Sequence, residues 1–445
     1  MESTQPNTPE PSFIQRNGTT LKGIIIFFLM LVLLIPTSMV ESLIYERQGR
    51  HNEAINEVSS KWGQSQTLSG PILVLPYEQT QRSTDGKEVF KETKFACFLP
   101  DELRVNGQIN PEKRHRGIFD VVLYSSRLKL EGSFNAPEVE KLVPAGATVL
   151  WDKASLVLGI PDLRGLEDQV TLQWDGQASM FDPGIPVSGL LQSGIHVPIA
   201  LKAAALNKAA GSHSFKIELA LKGSGALFFT PVGKVTDVKI ASPWADPSFT
   251  GAFLPDEKTV SPAGFEASWK VLNLNRNYPQ QWTSEAQMNF SESTFGVDFL
   301  IPVDNYQKST RSVKYAILFI CLTFLTIFFI EMGQSRRVHP FQYALIGLAL
   351  VIFYTLLVSI SEHLSFNAAY FIAAVMTIGM TGLYARSLFQ SNRMALFVCG
   401  TMTVLYGFLF VVLQQQDYAL LIGSLGLFAI LAVVMYVSRR INWQG

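Results

Sequence analysis

The sequence predicts an α+β membrane protein: one N-terminal transmembrane helix, a large extracytoplasmic mainly-β domain of sandwich-like sheets, and a C-terminal bundle of five transmembrane helices. Three observations predict it. Apolar residues gather in one run near the N-terminus and in further runs beyond residue 312, each about the ~20 residues a spanning helix needs. Between them, short alternating runs are broken by Gly, Pro, Asn and Asp at intervals that suit strands and turns. The short loops among the later runs carry Lys and Arg only at every second connection.

Residues 1–21 are polar, with Pro6, Pro9 and Pro11, and read as a disordered cytoplasmic tail. Residues 22–40 form the first span. A cleaved signal sequence is the competing reading, since Val40 and Ser42 follow the break at Pro36. An uncleaved anchor is preferred, because the apolar stretch exceeds an ordinary signal core and its leading segment is not clearly basic. Over 41–68, Ile44, His51, Ile55, Val58 and Trp62 recur at helical spacing among charges, which predicts an amphipathic helix closed by Gly70–Pro71.

The β-rich domain is predicted over 69–312. Its candidate strands include Lys94–Leu99, Phe119–Ser125, Arg127–Phe134, Ala154–Ile160, Val170–Trp174, Gly225–Thr230 and Phe265–Leu272. In Ser214–Leu221 the alternation of Phe215, Ile217, Leu219 and Leu221 with Lys216 and Glu218 marks a half-buried strand. A division into two lobes falls, if anywhere, around Gly176 to Gly194.

The remaining spans are predicted at 313–332, 341–360, 368–384, 394–413 and 418–437, followed by a cytoplasmic tail over 438–445. Arg336 and Arg337, Arg386 and Arg393, and Arg439 and Arg440 mark cytoplasmic connections, while 361–367 and 414–417 hold no Lys or Arg. Both termini are then cytoplasmic and residues about 41–312 periplasmic. Arg47, Arg50, Arg311 and Lys314 oppose that assignment, but long translocated domains escape the charge rule and long cationic side chains snorkel.

With 36 basic and 36 acidic residues, the chain carries no nucleic-acid signature. Cys97, Cys321 and Cys399 form no metal or redox motif. Nucleophile elbows, phosphate loops, dinucleotide fingerprints and zinc-binding helix motifs are missing, so no cofactor, metal or catalytic residue is predicted. The weak exceptions are a zinc site uniting His115, His196 and His213, and acid/base pairs from Asp101 with Glu102 or Asp120 with Glu131. Lys113, Arg114, His115 and Arg116 form the sharpest basic cluster, read as a solvated turn before an anion site. The apolar runs hold essentially no charge away from their ends, which opposes an ion-coupled transporter; Thr323, Thr326, Thr377, Thr381, Thr401 and Thr403 read as helix contacts. Candidate residues for coupling the domain to the bundle are Asp304, Arg311, Lys314, Glu362 and His363 at the span boundaries, where ordinary capping and anchoring compete.

Several stretches resemble one family. Val303-Asp-Asn-Tyr-Gln-Lys-Ser-Thr-Arg-Ser-Val-Lys-Tyr-Ala-Ile-Leu318, His339-Pro-Phe-Gln-Tyr-Ala-Leu-Ile-Gly-Leu-Ala-Leu350 and Ser361-Glu-His363 are similar to helix boundaries of the CreD family of bacterial inner-membrane proteins. Ser69-Gly-Pro-Ile, Phe98-Leu-Pro, Arg116-Gly-Ile, Pro243-Trp and Pro247-Ser-Phe-Thr-Gly-Ala-Phe-Leu-Pro255 also resemble family patterns. The likeness runs from about Lys22 to Trp443, and is poorer at 78–91 and 272–290. It implies a cell-envelope integrity protein under a CreBC-type two-component system, linked to envelope stress and to β-lactam or colicin sensitivity. No catalytic residues are carried over.

The expected function is therefore a non-enzymatic envelope factor that meets the lipid bilayer and, through its periplasmic domain, an envelope component that is lipid, glycan or protein, with no nucleic acid. The alternative is a lipid-handling or transporter accessory protein, which requires a continuous apolar groove. An envelope hydrolase comes third.

Overall fold

The computed structural model describes residues 18–82, 89–136, 138–201, 212–299, 304–334, 338–415 and 418–439. They form two compact units, one drawn from 1–50 with 303–445 and the other from 51–302. The predicted tails fall outside the described residues over 1–17 and 440–445.

The helical unit is built from part of α1 (Gly18–Trp62) and from α2 (Asp304–Lys314), α3 (Ala316–Gln334), α4 (Pro340–Ser361), α5 (Phe366–Phe389), α6 (Asn392–Gln414) and α7 (Ala419–Ser438). Helices α1, α3, α4, α5 and α6 are long and apolar enough to cross a membrane, and α7 holds a shorter apolar stretch, Leu421–Tyr436. The N-terminal helix packs as a member of this unit. Its buried side chains Ile26, Leu33, Thr37, Val40 and Ile44 lie on one stripe at three-, four- and seven-residue spacing. Leu33 fits where Gly347 has no side chain; a Cβ there would lie 2.2 Å from Leu33 Cδ1. Pro36 removes one helical N–H inside α1, and beside it the Thr37 and Ser38 hydroxyls donate to the Leu33 and Ile35 carbonyls, each at 2.8 Å.

Two boundaries differ from the sequence reading. Helix α1 ends at Trp62, before Gly70–Pro71, because Gly63 takes a left-handed conformation (φ 151°) and a strand begins at Gln66. Gly70–Pro71 instead sits within that strand at a register shift between Ser69 and Ile72. At the other end, 304–312 is helical and belongs to the helical unit, not to the β-rich domain. Tyr306, Ser309, Ser312 and Val313 give α2 one buried stripe on an otherwise polar helix, a spacing suited to helix and not to strand.

The second unit contains two sheets. The larger runs in spatial order Pro247–Gly251, Phe295–Phe299, Ala226–Phe229, Gln66–Arg82, Ala154–Gly159, Gly194–Ile199 and Asp182–Pro183, with Val89–Phe98, Thr148–Val149 and Gln281–Thr283 joining off this path. The smaller runs Glu257–Ser261, Gly264–Leu272, Val235–Ser242, Glu102–Arg116, Phe119–Phe134, His213–Ser224, Thr171–Trp174 and Gln177–Met180. One core joins them, with Trp269 against Phe295 and Phe249, and Tyr124 against Phe299, across the sheets. No split falls at 176–194: Gly194–Ile199 pairs with Ala154–Gly159 inside the larger sheet.

Two neighbouring strands show how the structure departs from the sequence reading. Phe119–Phe134 is one strand, not two, since Ser126 stays in the ladder and donates to the Leu221 carbonyl at 2.7 Å. Its partner Glu102–Arg116 is polar, with Gly107 and Pro111 inside it, and only Leu103, Val105 and Ile109 reach the core.

Candidate functional site

The helical unit has few charged side chains, and the buried ones are paired. Glu331 is the sole charged residue of α3 and is 7% exposed. Its carboxylate forms an ion pair with Lys22 of α1, accepts the Val338 N–H at 2.8 Å and accepts the Tyr343 hydroxyl at 2.9 Å. The Lys22 ammonium also donates to the Val338 carbonyl at 2.7 Å. A carboxylate buried in an apolar setting is tolerated only when its acceptor sites are filled in this way.

A second polar set lies around the C-terminal end of α4. Glu362 caps that helix, receives the Tyr306 hydroxyl at 3.2 Å and pairs with Arg47 of α1 at 3.7 Å. Asn305 donates to the neighbouring Ser361 carbonyl at 3.0 Å. Burial and the Glu362 charge together push the Tyr306 phenol well above its ordinary pKa. Lys22 and Arg47 are about 38 Å apart along α1 at helical rise, somewhat more than the ~30 Å thickness of a hydrocarbon core.

Of the five residues selected from sequence, Glu362 is at the centre of this second set. Arg311 is half-buried and engaged; Lys314 and His363 are exposed and make no ion pair with Glu362 among the described residues. The Asp304 side chain lies outside the described residues. Sequence reasoning missed Arg47, Tyr306, Lys22, Glu331 and Tyr343. The usable signal was a single acid, Glu331, after an uninterrupted apolar run, facing a single base near the start of α1.

In the β unit the candidate clusters resolve into local pairs. His115 pairs with Asp120, His213 with Asp175 at 2.6 Å, and His196 meets the Gly184 carbonyl at 3.0 Å, so the three histidines are held by separate partners. Among the described residues no group of three His, Cys, Asp or Glu could hold a metal ion. Asp101 pairs with Lys234, Glu102 with Arg104 and Glu131 with Lys129. The basic cluster closes the hairpin at Gly117: Arg116 binds Glu57 at 2.9 Å, Arg114 binds Glu112 and covers the Trp62 ring, and Lys113 covers Trp244. Cys97 is fully buried, and burial pushes its thiol up to about 12, which leaves it unreactive.

The largest described cleft of this unit, about 1120 Å³, is lined by Thr67, Ser69, Thr230, Gln192, Leu190 and Phe290 among others. At its floor the Ser69 and Thr230 hydroxyls share a 2.7 Å hydrogen bond.

The sequence pattern of the family described as "Inner membrane protein CreD" matches residues 18–444. Over 423 residues the chain is 32% identical to the "Inner membrane protein CreD" of Escherichia coli (strain K12), covering 94% of this chain and 92% of that one. The chain belongs to the CreD family. It is accordingly an inner membrane protein, and the five apolar helices are its candidate spans. Of the stretches that resemble CreD, Ser69–Ile72 spans the register shift of the longest strand, and Pro247–Gly251 forms an edge of the larger sheet. Among solved structures, an M1 zinc metallopeptidase from Deinococcus radiodurans, bound to a Tyr-Ser-Ala substrate, aligns over 39% of each chain at 9% identity, with a TM-score of 0.18. A likeness at that score carries no argument.

Proposed function

We propose that this CreD-family chain is a non-enzymatic envelope-integrity protein whose β unit lies in the periplasm and engages an envelope component. In this reading residues about 41–312 are periplasmic and both termini cytoplasmic. The observation that carries it is the alternation of arginines: pairs at 336–337, 386 and 393, and 439–440 flank connections expected inside, while 361–367 and 414–417 have none. A two-sheet unit inserted between the first and second apolar helices then belongs on the outer side. Asp304, Arg311, Lys314, Glu362 and His363 are proposed to couple it to the helices.

Two measurements test this. Single cysteines placed at Ser188 and at Ser391 in a chain lacking its native cysteines should be labelled by an impermeant maleimide in intact spheroplasts at 188 and not at 391; the reverse would overturn the topology. Dye uptake and detergent sensitivity of a deletion strain should be restored by the full chain. Rescue by exported residues 41–312 alone assigns the function to a periplasmic contact. Rescue by the full chain only means that the helices take part. Full rescue by a stable, inserted chain with Asp304, Arg311 and Glu362 all replaced would sink the coupling role.

A further inference from the structure

The large cleft of the β unit crosses one end of five neighbouring strands. Thr294 precedes Phe295–Phe299, Thr230 follows Ala226–Phe229, Thr67 and Ser69 lie in Gln66–Arg82, Gly159 ends its strand and Gly194 begins the next. Segments 184–193 and 288–291 form the walls. None of the described lining residues is Asp, Glu, Lys, Arg or His. The other described clefts differ: that of about 550 Å³ carries Arg127, Lys239 and Glu257, that of about 360 Å³ Arg104 and Glu131, and that of about 630 Å³ Asp101 and Lys234.

We infer that this uncharged cleft binds a neutral, N-acetylated sugar chain, an inference that rests on the reading of the β unit as the part that engages an envelope component. Phosphate- or carboxylate-bearing polymers would need a cation, and the lining offers none. An acyl chain would need a continuous apolar tunnel, which Ser69, Thr230, Ser188 and Gln192 interrupt. A peptide added as a strand needs a sheet edge, yet the cleft crosses strand ends, and the edge beside Gly184 is only Asp182–Pro183, where the proline has no N–H to give. Sugar hydroxyls and acetamido N–H and C=O groups match hydroxyl and amide side chains, while acetyl methyls and the apolar ring faces match Leu190, Leu191 and Met288.

The test is binding of N,N′,N″-triacetylchitotriose to the full chain in nanodiscs, read by saturation-transfer NMR and calorimetry. Saturable binding is expected. Ser188→Trp with Gln192→Ala, both at exposed lining positions, should weaken it by at least about tenfold, the loss expected when hydrogen bonds go and the cleft is filled, with the thermal midpoint unchanged. The deacetylated trimer should bind at least about tenfold more weakly, since it is cationic and lacks the acetamido groups. Absence of saturable binding at millimolar sugar, equal binding of the deacetylated trimer, indifference to both substitutions, or binding of an uncharged Ala-Ser-Ala peptide in place of the sugar would overturn it. The two levels separate. A wild-type chain that restores the envelope barrier without binding the sugar refutes this inference alone, whereas a doubly substituted chain that loses sugar binding yet restores the barrier supports the site and refutes its part in barrier function.

Discussion

The two units handle charge in opposite ways. In the β unit acids and bases sit two residues apart on the exposed face of a strand, as in Glu102–Arg104, Lys129–Glu131 and Lys216–Glu218, and the core between the sheets is apolar and aromatic. Such surface pairs contribute about 0–1 kcal/mol each. In the helical unit a carboxylate is withdrawn into the interior and joined to a partner 309 residues away in sequence. Strand alternation organises the first unit; in the second, where the helices long enough to span are apolar on most faces, a buried pair is what distinguishes one packing of α1 from another.

The largest effect follows from that contrast. Glu331→Ala leaves Lys22 half-buried without its anion, and should cost about 3–5 kcal/mol in unfolding of the purified protein by SDS. Lys22→Met combined with Glu331→Leu removes both charges and should recover most of the loss. A near-neutral Glu331→Ala would break the comparison, because the pair would then behave like one on the β-unit surface.

In the β unit the sensitive positions are backbone contacts. A Cβ at Gly132 would lie 1.9 Å from the Glu102 carbonyl oxygen on the adjacent strand, so Gly132→Ala must part the Glu102–Arg116 and Phe119–Phe134 strands locally. The expected cost is about 2–3 kcal/mol in urea unfolding, against about 1 kcal/mol for alanine at Gly117, where the space is open and only the left-handed φ of 64° adds strain. Equal effects at the two glycines would show that close strand approach is not what the unit depends on.

This difference also explains what could be read from sequence. Hydropathy alone gave the apolar helices, since ~20-residue runs have few alternatives, and alternation gave Ser214–Leu221, whose inward residues are buried as expected. Glu102–Arg116 was illegible because five consecutive residues at its end, Glu112–Arg116, face solvent and leave no period to detect. The strand break expected at Ser126 and the helix end expected at Gly70–Pro71 failed because a buried side-chain hydrogen bond and a register shift absorb those residues within ladders. Glu362 was legible as a boundary charge, but its partners Arg47 and Tyr306 come from segments that only the fold brings together.

Asp162 tests the β unit's exception, a buried acid. It is 8% exposed, accepts the Gln64 N–H at 3.0 Å and binds Arg164 at 2.8 Å. The Arg164 guanidinium holds its carboxyl below the ordinary 3.8, so this stabilisation is complete above that value and is lost as pH falls through the lower folded value. The urea midpoint should drop below about pH 4, and Asp162→Asn should flatten that drop while costing about 1–2 kcal/mol at neutral pH. A pH profile unchanged by the substitution would assign the acid sensitivity elsewhere.

The smallest effect is expected farther along α1, at Arg47. Glu362 keeps Arg47 when Tyr306 loses its hydroxyl, and the Arg47 side chain is 39% exposed, so water can replace what is removed. Tyr306→Phe should therefore cost about 0.5–1.5 kcal/mol in the SDS unfolding assay, well under Glu331→Ala. The same substitution sharpens the comparison between the two polar sets on one helix. If it proves as costly as Glu331→Ala, water does not reach the Glu362 set, and α1 is locked at both Lys22 and Arg47 by desolvated carboxylates.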